Sequence, residues 1–266
     1  MKMTGKLWLS VDTDDYEFLP SVQGHKTRSP GSTIDLEKYE PSEDLISGFA
    51  GLTKWMKSND YPLTIFVIAG QLTNHRFRES LQEIINSFPE RITIGNHGYD
   101  HRSWSSFAPD EEGFSQMLEE SEKILLEFGQ ERFKKWFRAP SGYIDEWMVK
   151  SLSESGYVVD SSVNPSFLMN YKYGKSNYKS MLKRFQEFGI VERKWKTRLG
   201  LPICGPALFK FPLKWNAKMG WKNSSDVIKK DELQSVVEGS EQIETIYWHV
   251  LDFARDSGTW LPQIGE

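Results

Sequence analysis

From residue 6 to residue 162 short apolar runs alternate with amphipathic stretches, and this alternation limits the fold more than any other feature of the chain. KLWLSV (6–11), PLTIFVIAG (62–70), RITIG (91–95), WFRAP (136–140) and GYVVDSS (156–162) have the length and the β-branched or aromatic content of buried strands. Between them Leu45, Phe49, Leu52, Trp55 and Met56 recur at helical spacing, as do Leu81, Ile84 and Ile85 within 77–87. Phe114, Met117, Leu118, Ser121, Leu125 and Phe128 form the stripe of a longer helix opened by Pro109-Asp110-Glu111-Glu112. A further helix is expected over 145–155, another over 230–238, and ETIYWHV (244–250) reads as the last strand. Such alternation implies parallel strands joined by crossover helices. One α/β domain over 1–266 is expected, a distorted (β/α) barrel in preference to an open sheet. Residues 20–42, rich in Pro, Gly, Ser and charge, read as a long surface loop, and 166–230 as loops and short strands, Leu201-Pro202-Ile203 being a candidate late core strand.

The composition excludes several functions. A formal charge of −4 supplies no basic field for nucleic acid, and the lysines between Lys172 and Lys196 are interleaved with acids and aromatics. The single Cys204 rules out an intrachain disulfide framework and a cysteine-ligated metal cluster, and a lone cysteine reads as a small buried apolar residue. The apolar run in MKMTGKLWLSVDTDD stops at Asp12, too short for a signal-peptide core, and Pro62–Ala69 is too short to span a bilayer. A cytoplasmic chain without a membrane span is therefore expected. Ten Trp, ten Tyr and sixteen Phe suit a large core and a site that stacks against sugar-like ligands.

In parallel α/β folds functional side chains gather where the strands end. Here the first strand runs into Asp12, Asp14 and Asp15, the third into GNHGYDH with His97 and His101, the fourth into Arg138, the fifth into Asp160 and the last into His249. Taken singly, each has a bland reading: a solvated acidic turn, a polar loop, a hydrogen-bonded core histidine. Taken together they form a chemical set. Two imidazoles and a carboxylate suit zinc or a similar divalent ion with a position left for water. A second carboxylate can take the proton of that water, a further histidine can protonate a leaving group, and an arginine can hold the base ionised. That is the apparatus for hydrolysing an amide or an ester.

The order of these motifs resembles the polysaccharide deacetylase family, the NodB-homology domains of carbohydrate esterase family 4. The stretches that carry the resemblance are LSVDTDD (9–15), TIFVIAG (64–70), GNHGYDH (95–101), FRAPSG (137–142), GYVVDSS (156–162) and YWHVLD (247–252). The resemblance implies a distorted barrel, often seven-stranded, and metal-dependent removal of an acyl group, usually N-acetyl from an amino sugar. It would make His97 and His101 ligands, Arg138 the brace of the base, and His249 the general acid. The family's usual adjacent aspartate pair is here Asp12-Thr13-Asp14-Asp15, resembling the D-x-D branch that includes allantoinase-like amidohydrolases. Aligning the strand makes Asp12 the base and Asp14 the ligand, and alternation along an extended chain points both the same way; the rival assignment is Asp14 as base and Asp15 as ligand. The N–H after Pro140 would serve as an oxyanion hole, and Asp15, Pro140, Tyr143 and Asp160 are candidate supporting residues. The ion expected is zinc, with iron, cobalt or nickel as alternatives. The substrate expected is an N-acylated amino sugar in a glycan or glycan precursor, for example of surface polysaccharide or O-antigen. The rival functions are an amidohydrolase acting on a small non-sugar amide and a barrel that binds carbohydrate without catalysis. Residues from Tyr171 to Trp221 are candidates to line the site.

Overall fold

The computed structural model describes residues 5–265. Its strands are β1 (Lys6–Asp12), β2 (Leu63–Val67), β3 (Ile92–Asn96), β4 (Phe133–Phe137), β5 (Val159–Asp160), β6 (Val191–Glu192), β7 (Thr197–Arg198), β8 (Leu201–Pro202) and β9 (Ile243–His249). The helices are α1 (Glu43–Ser58), α2 (His75–Ser87), α3 (Glu111–Gly129), α4 (Glu146–Glu154), α5 (Tyr178–Glu187), α6 (Leu213–Lys222), α7 (Leu233–Glu238) and the single turn α8 (Arg255–Gly258). Seven strands form one parallel sheet in the order β6-β5-β4-β3-β2-β1-β9, with every neighbouring pair parallel. The sheet curls until its edges meet. Beyond β6, Arg193 N–H donates to Asp160 O (2.8 Å), Thr245 N–H to Lys194 O (3.0 Å) and Lys196 N–H to Thr245 O (2.8 Å), so the same segment touches β5 on one side and β9 on the other. This is the expected distorted (β/α) barrel.

Alternate strand residues face opposite sides of the sheet and both sides are covered, which explains the near-continuous apolar runs. On β1, Leu7, Leu9 and Val11 pack with Leu45, Phe49 and Leu52 of α1, whereas Trp8 joins Phe66 of β2, Trp136 of β4 and Val236 and Val237 of α7 in a second cluster. Trp8 meets Trp136 edge-on with centroids 5.4 Å apart and donates its indole N–H to Thr64 Oγ1 at 2.9 Å. This aromatic floor fills the lower barrel and leaves the upper end, where strands finish, for polar side chains. Helix starts follow the sequence cues: Ser42, Asn74 and Asp110 each accept an N–H of the first turn of α1, α2 and α3.

Four expectations need correction. The fourth strand lies earlier than WFRAP: β4 ends at Phe137, and Arg138, Ala139 and Pro140 lie beyond it. Lys134 and Lys135 hide this strand in the sequence, yet Lys135 is satisfied there by Ser155 O at 2.9 Å and Glu122 at 2.7 Å. GYVVDSS contributes only Val159–Asp160 to the sheet. Residues 166–230 hold two helices besides loops. α5 starts from a capping box at Asn177 but buries only Met181 and Phe185, and α6 buries Asn216, Ala217, Gly220 and Trp221, so neither shows an apolar period. Leu201-Pro202 is no core strand; it pairs antiparallel with β7 outside the main sheet.

α1 lies so close to the turn after β9 that a Cβ on Gly48 would stand 2.3 Å from Val250 O. Helix propensity alone favours alanine there by about 1 kcal/mol. The contact is with backbone and cannot move aside, so Gly48→Ala is expected to destabilise the fold by about 1–3 kcal/mol. Chemical denaturation checks the sign, and a stabilised variant would contradict this packing.

Candidate active site

Every chemically active residue singled out in the sequence sits at or just past the upper end of a strand. β1 continues its alternation past Val11: Asp12 and Asp14 face one way, while Thr13 turns to the other side and hydrogen-bonds Gln71 Oε1 (2.7 Å) and the Ile68 N–H (3.1 Å). Asp15 leaves the group altogether. Its carboxylate accepts from Ser42 N–H (2.7 Å), Ser42 Oγ (2.6 Å), Tyr39 Oη (3.1 Å) and Tyr16 N–H (2.8 Å), tying the first loop to the start of α1. Asp12 and Asp14 are thus the pair that shares a site, and Asp15 is its anchor.

GNHGYDH is a curled loop, held down on both sides. Gly95 is required by β3's neighbours, since a Cβ there would lie 2.7 Å from the Phe66 ring, and Gly98 takes φ +81°. His101 adopts φ 62°, a left-handed conformation uncommon outside glycine that turns its ring back toward His97. The rings stand 4.9 Å apart. His97 Nδ1 is 2.8 Å from Arg138 O and His101 Nδ1 is 2.7 Å from Phe18 O. A carbonyl can only accept, so each Nδ1 carries the proton and each Nε2 of the neutral ring presents a lone pair. Both Nε2 atoms face Asp14: His97 at 3.3 Å from Oδ2, His101 at 2.9 Å from Oδ1.

The three donor atoms lie within 4.8 Å of one another and all three residues are buried. Despite that crowding, Asp14 Oδ2 and His101 Nε2 have no aligned hydrogen bond. Two buried polar atoms left without partners are costly, and a carboxylate beside two backbone-oriented imidazoles is the donor set of a divalent cation site. The residues therefore fit a cation. Burial pushes the Asp14 carboxyl upward, but the facing imidazoles of His101 and His249 outweigh it and hold the group well below the usual carboxylate range.

Asp12 is bound from behind. Arg138, itself fully buried, donates Nη1 to Asp12 Oδ1, Nη2 to Ser10 Oγ (2.7 Å) and Ser161 Oγ (3.2 Å), and Nε to Ser161 O (3.1 Å). Its guanidinium lies between the rings of Phe66 (4.1 Å) and Tyr247 (4.9 Å). Asp12 Oδ2 remains available on the cavity side, 3.9 Å from His97 Nε2. Across the site, His249 Nε2 is 4.0 Å from Asp14 Oδ1, while its Nδ1 is held by Asp252 Oδ2 at 3.2 Å and Asp252 in turn by Arg255 Nε at 2.9 Å. Burial lowers the His249 pKa, but Asp252 and then Asp14 prevail and raise it to about 9, so its ring is a proton donor at neutral pH.

These groups line a cavity of about 390 Å³, together with Arg28, Ser141, Gly142, Tyr143, Tyr171, Lys172, Trp195, Lys210 and Leu213. Ser141 takes φ 53°, Gly142 N–H donates to Ala139 O and Tyr143 N–H to Pro140 O, and among the described residues the Ser141 N–H makes no hydrogen bond. That amide is the free donor expected after Pro140. Tyr143 lines the wall and hydrogen-bonds His25 Nε2 at 2.8 Å. Asp160 does not reach the cavity: it accepts from Ser162 N–H (2.8 Å) and Oγ (2.9 Å), and Ser162 Oγ accepts the Ala139 N–H (2.8 Å), so Asp160 fixes the Arg138–Pro140 segment indirectly. Cys204 borders the cavity, but burial pushes its thiol up to about 12, leaving no thiolate for nucleophilic chemistry. Asp252, Ser10, Ser161 and Arg28 escaped the sequence reading. Asp252 carried a signal, three residues past His249; Arg28 carried none, lying in an irregular loop.

Comparison with known proteins places this arrangement. Residues 47–159, which include His97, His101 and Arg138, match the family model described as polysaccharide deacetylase. Asp12, Asp14 and His249 lie outside the matched span. No match is found among curated protein sequences. Among solved structures, a Mycobacterium smegmatis protein classed provisionally as a polysaccharide deacetylase is 17% identical with a TM-score of 0.55, over 97% of this chain and 82% of that one. Puue allantoinase is 14% identical with a TM-score of 0.55 over the same shares, 97% and 82%. A GH57-type branching enzyme from Pyrococcus horikoshii is 12% identical with a TM-score of 0.52, over 99% of this chain and 67% of that one. At these identities the likeness is one of fold, and it agrees with the distorted barrel.

In metal-free protein the His249 imidazole is expected to titrate near pH 9. Asp252→Asn removes the main group favouring the charged ring, so the midpoint must fall, as it must when a divalent ion neutralises Asp14. Histidine NMR shifts followed against pH check both displacements, and an unmoved midpoint in Asp252→Asn would contradict the pairing.

Proposed function

We propose that the protein is a metal-dependent deacetylase that removes an N-acyl group from an amino sugar in a glycan or glycan precursor. One observation carries this reading: the clustered donors of Asp14, His97 and His101, with Asp14 Oδ2 and His101 Nε2 left without hydrogen-bond partners, lie between an arginine-held carboxylate and a carboxylate-held histidine. Asp14, His97 and His101 would hold the ion, with zinc the expected metal because two imidazoles and a carboxylate suit it. When bound, a divalent cation supplies Lewis acidity, acidifying water and polarising the acyl carbonyl.

The residues of the chain supply the remaining parts. Asp12 accepts the proton of the attacking water through Oδ2, its other oxygen being tied to Arg138. Arg138 is a positioning residue; it keeps Asp12 ionised and pointed. The Ser141 N–H supports the oxygen that develops negative charge. His249, oriented by Asp252, protonates the departing nitrogen. An amine is a poor leaving group unless protonated, so an acid placed opposite the base is what amide cleavage demands. The D-x-D arrangement of Asp12 and Asp14 is supported by their shared side of the chain, with Asp15 committed to Ser42 and Tyr39.

Acetate release from N-acetylated amino sugars and their oligomers, measured with zinc and after chelation, tests the reading. Activity confined to small cyclic amides would replace it with an amidohydrolase. Asp12→Asn is expected to lose about a hundred- to ten-thousandfold in turnover. His249→Ala should cut hydrolysis of acetamido sugars far more than that of an activated aryl acetate, whose leaving group needs no proton. Equal losses on both substrates would remove His249 from the role of acid. Because the acid must be protonated, activity should decline as pH rises through the His249 midpoint, and Asp252→Asn should move that decline to lower pH.

A further inference from the structure

The cavity is lined by three cations that the proposed hydrolysis does not use. Arg28, Lys172 and Lys210 all line it, and its only carboxylates, Asp12 and Asp14, are engaged by Arg138 and by the histidines. Among the described residues none of the three cations forms a salt bridge. Lys172 Nζ donates to Ser141 O at 2.5 Å, and its side chain lies over the rings of Tyr143 (5.5 Å) and Trp195 (6.0 Å). Burial, with Arg28 as a like-charged neighbour, lowers its amine to about 8. A surface lysine would avoid this environment by turning to water. Arg28 is carried by a loop that is fixed in place: Arg28 N–H donates to His25 O (3.2 Å), Ser29 Oγ to Pro20 O (2.9 Å) and Gln23 Nε2 to Asp100 O (2.5 Å).

Positive charge concentrated in a concave site and left uncompensated favours an anion, and flat rings beside it favour a sugar or a base. Resting on the deacetylase reading, we propose that the substrate is a phosphorylated amino sugar, its phosphate or diphosphate held by Arg28, Lys172 and Lys210 while its acylamino group reaches Asp12 and His249. A phosphate presents several acceptor oxygens, enough for a guanidinium and two ammonium groups at once. Docking would also relieve the desolvated charge on Lys172. Phe211 and Trp215, exposed by 93% and 75%, flank Lys210 and Leu213 in the sequence at this edge. A base or a lipid chain carried by the phosphate would find these rings at the rim.

Binding of inorganic pyrophosphate, followed by calorimetry, tests the anion site without reference to acetyl release. The His97→Ala chain is used in parallel, so that binding to a metal ion is set aside. Dissociation constants are expected to rise about tenfold in Arg28→Met and in Lys210→Met, with a larger rise in Lys172→Met. Arg28 and Lys210 are exposed, so these two variants answer even if Lys172→Met fails to fold. Pyrophosphate that does not bind the His97→Ala chain, or binds the variants as tightly as the native protein, overturns the proposal. In the kinetic arm, kcat/KM for N-acetylglucosamine 1-phosphate, its uridine diphosphate ester and a polyprenyl phosphate ester in micelles is divided by that for N-acetylglucosamine. A ratio well above one for any of them that falls in Arg28→Met supports the phosphate subsite, and the best of the three identifies the carrier. Ratios of one with acetate released throughout overturn the phosphate subsite and leave the deacetylase standing. Pyrophosphate binding without acetate release from any substrate would instead count against the deacetylase.

Discussion

Arg138 is a full positive charge buried at the axis of the barrel, and the site is arranged around satisfying it. Removing such an ion from water costs several kcal/mol even after relaxation. The chain offsets this with one carboxylate, two serine hydroxyls, a carbonyl and two aromatic faces. Each of those partners comes from a different part of the sheet: Ser10 and Asp12 from β1, Phe66 from β2, Ser161 just past β5, Tyr247 from β9. The barrel must close for the charge to be paired, and once paired it sets the orientation of Asp12. Its backbone contributes as well, since Arg138 O receives His97 Nδ1–H and so fixes which nitrogen His97 turns toward Asp14. One residue positions both Asp12 and His97.

The same economy appears in the way three carboxylates within four residues acquire different surroundings. Asp12 faces a guanidinium and Asp14 faces three imidazoles, while Asp15 has left for a helix start. Environment rather than residue type sets the three carboxylates apart. His249 gains its acid character in a similar way, from Asp252 behind and Asp14 in front. The same cavity is also lined by Arg28, Lys172 and Lys210, cations that form no salt bridge among the described residues.

Most of the barrel was legible in the sequence because buried strands and crossover helices announce themselves through apolar periodicity. Strand ends were legible too, since Asp, His and Arg are unusual where an apolar run stops. What could not be read has physical causes. β4 was displaced by Lys134 and Lys135, charged residues inside the strand, of which Lys135 finds its partners in Ser155 O and Glu122. α5 and α6 bury too little apolar surface to show a period. The second layer of the site, Ser10, Ser161, Ser162 and Asp252, consists of common polar residues whose importance lies only in whom they touch. Arg28 and Lys172 meet across the cavity from distant loops, and no local pattern encodes that encounter. Asp160 was recognised as unusual for its position, and its effect proved indirect, through Ser162 to the Ala139 amide.

The central claim is that Asp14, His97 and His101 form a divalent cation site. Cobalt(II) titrated into chelator-stripped protein reports on it directly, because ligation by imidazole and carboxylate changes the visible absorption of the ion. The account predicts saturation at about one equivalent for the native chain, and its loss in Asp14→Ala, His97→Ala and His101→Ala while circular dichroism shows the fold intact. A native chain that binds no cobalt at neutral pH, or a His97→Ala chain that binds it as tightly as the native one, would contradict the claim.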